Sequence, residues 1–156
     1  MRDEKPGILE LLIEHELAIK ELYASFAALF SAQAGFWQEL AEQEQGHADR
    51  LEEVRIDAQA RQWVPYDFSI RAEAIRMSNG FVREQIALAE KGNFTPLQAL
   101  SLARDLENAL LEKQLTKLKS SAPKEIRPVL AILANETDRH RRNIEAVFAA
   151  EKQKES

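Results

Sequence analysis

Apolar residues recur along this chain at alternating spacings of four and three, the rhythm of helices that each bury one face. One stripe runs Leu12, Glu16, Ile19, Tyr23, Phe26, Phe30, and a second runs Trp37, Leu40, Glu44, His47, Leu51, Val54, Ala58. A third runs Leu100, Ala103, Glu107, Leu110, Gln114, and a fourth Ile126, Leu130, Leu133, Thr137, His140, Ile144, Val147. Helix breakers fall between them, at Pro6-Gly7, Ala34-Gly35, Pro65, Gly92 to Pro96, and Ser120 to Pro123. The spacing predicts helices over 8–31, 35–62, 96–119 and 124–151. Thr95 followed by Pro96 reads as an N-cap with proline at the first helical position. Pro128 either sits in the first turn of the last helix or forces that helix to begin near it. The stretch 66–91 carries a helical pattern of its own, with a candidate break at Asn79-Gly80. Two helical hairpins joined by one long crossover form a four-helix-bundle topology. The expected fold is therefore all-α, a four-helix bundle with a long helical crossover between its second and third helices.

Composition narrows the picture. The 156 residues fit one domain, 1–156, and 5 Gly with 5 Pro are too few for an all-β chain of many tight turns. The chain has no cysteine, which excludes a disulfide framework, thiolate zinc, an iron–sulfur cluster and a cysteine nucleophile. With 26 acidic and 21 basic residues the net charge is −5, against the basic surplus of a nucleic-acid binder. Glu10, Glu14 and Glu16 break the first apolar run, so it does not read as a signal peptide. No run reaches the roughly 20 apolar residues of a membrane span. A cytoplasmic protein without membrane contact is expected.

Ionisable groups interrupt these apolar stripes near their middles. Glu16 stands in the first, Glu44 and His47 in the second, Glu107 in the third, and Thr137 and His140 in the fourth. If Gln33 marks the first turn, Glu16 and His47 lie within three residues of the same depth, about 4.5 Å along a helix axis. Glu107 and Glu136 are nearly level about the second turn. A carboxylate buried without a partner costs several kcal/mol, and several together repel. They need protons, cationic partners or a metal ion, and carboxylates with imidazoles suit iron, manganese or zinc. Glu39, Glu42 and Asp49 fall off the stripe on a solvated face. His15 reads as structural, at the edge of its helix. Tyr23 reads as core, with a hydrogen bond to a site group as the alternative. Arg139, Arg141 and Arg142 read as a surface that pairs with acids.

At these residues the sequence resembles the rubrerythrin-like branch of the ferritin-like superfamily. The first half carries Glu16, Tyr23, Phe26-Ala27, Phe36-Trp37 and the run Leu40-Ala41-Glu42-Gln43-Glu44-Gln45-Gly46-His47-Ala48. The second half carries Ala99-Leu100, Ala103, Leu106-Glu107 and Leu133-Ala134-Asn135-Glu136-Thr137-Asp138-Arg139-His140. In that family each half supplies a Glu and then a Glu-x-x-His, which together bind two irons. The resemblance implies Glu16, Glu44, His47, Glu107 and His140 as metal ligands, with Glu44 bridging. The family's glutamate three before His140 is Thr137 here. Glu136 is the nearby substitute, turned about 100° from the expected direction.

The implied activity is oxidation of ferrous iron by oxygen or peroxide, with one or two iron ions bound (manganese or zinc being the alternatives). Rubrerythrins carry a thiolate-bound rubredoxin iron that a chain without cysteine cannot hold, so electrons would come from an external donor protein. A homodimer is expected. The competing reading is a metal-free or mono-metal helical-bundle scaffold or interaction protein. Its seam carboxylates would be protonated or paired with Arg71, Arg76 or Arg83 of the crossover.

Overall fold

A computed structural model describes residues 7–63, 72–109 and 122–154. Among these residues the chain is all-α, with five helices and no strand: α1 (Ile8–Leu29), α2 (Ala34–Ala60), α3 (Ala72–Glu90), α4 (Pro96–Glu107) and α5 (Arg127–Lys154). A single 3-10 turn, Ser31–Gln33, joins α1 to α2 and folds them into a helical hairpin. α1 packs on both α2 and α3, α4 packs on α5, and α5 also touches α2.

Local chemistry explains the ends of the helices. The Thr95 side chain accepts from Gln98 N and the Gln98 side chain accepts from Thr95 N, a reciprocal capping box with Pro96 following. α4 stops at Glu107, where the Asn108 N–H donates to Arg104 O and the Ala109 N–H to Leu106 O, closing the last turn. The expected continuation to residue 119 begins with this interruption, and its remainder lies outside the described residues. α5 begins at Arg127, so Pro128 sits in its first turn, where a missing N–H costs nothing.

The candidate break at Asn79-Gly80 is absent, and α3 runs unbroken through both. A Cβ at Gly80 would meet open space. Packing of Ile75, Val82 and Ala89 holds the helix on this core. That burial outweighs the roughly 1 kcal/mol that a mid-helix glycine costs.

The core divides in two. One cluster includes Ile19, Tyr23, Phe26, Trp37, Leu40, Val82, Leu100, Ala103 and Ile144. The other includes Leu11, Leu12, Leu51, Val54, Ile75, Ile126, Leu130 and Leu133. All the buried polar side chains among the described residues belong to one set: His15, Glu44, His47, Asn79, Glu107, Thr137 and His140. On α1, α2, α3 and α5 they sit between residues of the two clusters, and on α4 Glu107 follows the first cluster. The core is therefore apolar, then polar, then apolar, with every helix contributing to the polar layer.

Candidate metal centre

Four helices aim acids or imidazoles into this layer. Glu44 and His47 stand one helical turn apart on α2, so their side chains share a face. Glu44 is 1% exposed, and its two oxygens divide between two imidazoles. Oε2 lies 3.5 Å from His47 Nδ1, and Oε1 lies 3.2 Å from His140 Nδ1 on α5. Two further carboxylates flank the imidazoles. Glu16 Oε2 on α1 is 3.9 Å from His47 Nδ1, and Glu107 Oε1 on α4 is 3.9 Å from His140 Nδ1. The imidazole rings lie 4.6 Å apart, tilted by 32°. One atom each from Glu44, His47 and His140 falls within 4.8 Å of the others, a spacing that one metal ion can span. Glu16 keeps 19% exposure, whereas Glu107 is buried.

The electrostatics are those of crowded acids. Burial pushes the Glu44 carboxyl well above its ordinary range, and the neighbouring charges of Glu16 and Glu107 push it further. Burial also raises Glu16, but its polar interactions with Glu44 and His47 outweigh it and hold Glu16 at about 2. Burial disfavours a charged His47, yet the Glu16 carboxylate leaves its pKa raised. In the metal-free protein a proton on Glu44 and a cationic His47 therefore relieve the crowding of carboxylates.

The Tyr23 hydroxyl donates to Glu107 Oε1 at 3.0 Å while its ring is buried in the apolar core, so both readings of Tyr23 hold. Burial, and then the Glu107 charge, raise the tyrosine well above its usual range and keep it a donor. Its ring packs on Trp37 at 5.5 Å.

The remaining expected residues fall outside this ring of donors. Thr137 is buried on the seam, but its Oγ1 donates to Leu133 O at 2.9 Å and is spent on its own helix. Glu136 approaches the opposite edge of His47, with Oε2 at 3.4 Å from Nε2, while its Oε1 is 3.1 Å from Arg50 NH2. His15 is buried with Nε2 2.9 Å from Ser78 Oγ, and burial pushes its pKa down. Arg141 and Arg142 pair with Asp138 on the surface. Among the described residues, the crossover arginines do not neutralise the layer. Arg83 pairs with Glu14 at the surface, Arg76 is exposed, and Arg71 lies outside the described residues.

Three participants escape the sequence reading. Arg50 follows His47 by one turn and is 36% exposed, so a search of apolar stripes passes over it. Ser78 and Asn79 bring α3 into the layer where the sequence suggests a break. Both amide atoms of Asn79 are buried without a hydrogen-bond partner.

No family model, curated protein or solved structure matches the chain. The class this geometry defines is an all-helical protein with a buried Glu44–His47–His140 group able to hold a metal ion. No helix among the described residues is long and apolar enough to cross a membrane.

Proposed function

We propose that the protein is a ferritin-like, non-haem metal protein similar to rubrerythrin. In this reading α1, α2, α4 and α5 form the four-helix bundle and α3 belongs to the crossover. One observation carries it: the oxygens of buried Glu44 divide between His47 and His140, and each imidazole has a second carboxylate beside it. That donor set describes two cation positions sharing Glu44, one completed by Glu16 and His47, the other by Glu107 and His140. The fit has further support in Glu44 Oε2, which is buried without a hydrogen-bond partner. Carboxylates and imidazoles suit iron, manganese or zinc.

The chemistry is oxidation of ferrous iron by peroxide or oxygen. A bound pair of ferrous ions would supply the two electrons that, with two protons from solvent, reduce one peroxide to two waters. To hold a cation, Glu44 would release its proton to solvent, as ligand groups must. Tyr23 holds Glu107 in place through its hydrogen bond. The two apolar clusters wall the layer above and below. Re-reduction falls to an external donor protein, since the chain has no cysteine for a thiolate centre of its own.

The test is anaerobic loading with ferrous iron followed by one equivalent of peroxide. We expect oxidation faster than for free ferrous iron in wild type, and its loss in His47→Ala and His140→Ala. Oxidation at the solution rate, alike in wild type and variants, overturns the reading. A metal-free scaffold is the second reading, and Thr137 favours it, because the hydroxyl that replaces a bridging carboxylate is bonded to its own helix. A chelator that leaves the melting temperature of the purified protein unchanged would favour the scaffold.

A further inference from the structure

The two imidazoles of the layer are not equivalent. His47 turns Nδ1 towards Glu44 and Glu16, and its buried Nε2 has no hydrogen bond in place. The carboxylate at that outer nitrogen is Glu136, 3.4 Å away, itself held by Arg50 at 3.1 Å. These three residues, with Gln43 and Gly46, line a cavity of about 220 Å³ on the outer side of the imidazole. His140 also lines this cavity, and its Nδ1 faces Glu44 and Glu107. Among the described residues, no carboxylate stands within ion-pair distance of its Nε2.

We propose that Glu136 is a positioning residue for His47 rather than a substitute for the missing bridge at Thr137. The consequence is that the two cation positions bind unequally, with the Glu16–Glu44–His47 position filling first. This inference rests on the layer being a cation centre. An imidazole that ligates through Nδ1 must carry its proton on Nε2. A carboxylate accepting that proton fixes the tautomer, holds the ring and raises the basicity of the ligating nitrogen. Arg50 holds the carboxylate from its other oxygen, facing inwards. Glu136 neighbours Thr137 but points about 100° around the helix from it, which places it behind the imidazole rather than between the two. Among the described residues no carboxylate supports His140 in this way, which makes it the weaker ligand.

The test is titration of the full chain with cobalt(II), followed by calorimetry and by nitrogen NMR of the histidines in the zinc-loaded protein. Wild type is expected to bind in two distinguishable steps. Glu136→Ala weakens the first step about 10–100-fold and leaves the second nearly unchanged. Glu136→Gln, which keeps an acceptor oxygen without the charge, falls between. The Nε2–H signal of His47 shifts in both variants, and that of His140 does not. Glu136 is half-buried at the rim, and circular dichroism checks that each variant is folded. The proposal is overturned if Glu136→Ala leaves both steps unchanged or weakens both equally. It is equally overturned if that variant loses one bound equivalent, which would make Glu136 a ligand. A wild type that binds no cobalt or zinc fails the cation-centre reading itself, and is distinct from these outcomes.

Discussion

Glu44 on α2 meets His140 on α5 across 96 residues of sequence, Oε1 to Nδ1 at 3.2 Å, with both side chains buried. The contact ties the first half of the chain to the second through a carboxyl group whose ionisation burial disfavours. Glu44→Gln keeps the shape and removes the ionisation. Each pKa unit by which a carboxyl is raised corresponds to about 1.4 kcal/mol that the native state loses on ionising it. We expect Glu44→Gln to raise the metal-free melting temperature at pH 8, by about 2–4 °C for each kcal/mol recovered. The same variant loses metal binding. Calorimetry with and without a divalent cation checks both halves.

The pH dependence of the metal-free protein follows from the same layer. The folded pKa values of Glu44 and His47 are raised, so their contributions are fully present below their ordinary values and are lost as pH rises through the folded ones. His15 is lowered, so its effect is complete once pH exceeds its ordinary 6.5. Glu16, held at about 2, contributes above 4.5 and fails only as pH falls towards 2. Between pH 6.5 and 8.5 only the losses remain, and stability without metal declines. Cation binding releases protons, so stabilisation by added metal grows over the same interval. Thermal melts across this range, with and without manganese(II), measure both slopes.

Tyr23→Phe removes the donor from the buried Glu107 carboxylate and leaves the ring packing on Trp37 intact. We expect a loss of about 1–3 kcal/mol in stability, the cost of leaving a buried acceptor short of a partner. Chemical denaturation measures it.

Thr137→Glu repeats the Glu44-x-x-His47 spacing by placing a carboxylate three residues before His140. Without metal it adds another acid to a crowded layer and destabilises by several kcal/mol. With metal it adds a ligand, so the melting-temperature gain on adding a divalent cation exceeds that of wild type.

Much of this layer is legible from spacing alone. Glu16, Glu44, His47, Glu107 and His140 are conspicuous because each interrupts an apolar stripe, and the structure buries four of the five and half-buries Glu16. Thr95 and Pro96 declare the start of α4 because capping chemistry is local. Glu136 and Arg50 escape the same test because long side chains reach the layer from flanking positions that carry no apolar signal. Asn79-Gly80 misleads for a different reason. Local propensity weakens the helix there, while burial of Ile75 and Val82 on distant elements restores it.

The central claim is that the polar layer holds cations, and metal stoichiometry tests it most directly. Protein loaded anaerobically with ferrous iron, desalted and assayed by elemental analysis is expected to retain about two irons per chain, and Glu44→Ala to lose them. Near-zero iron in wild type and Glu44→Ala alike would contradict it.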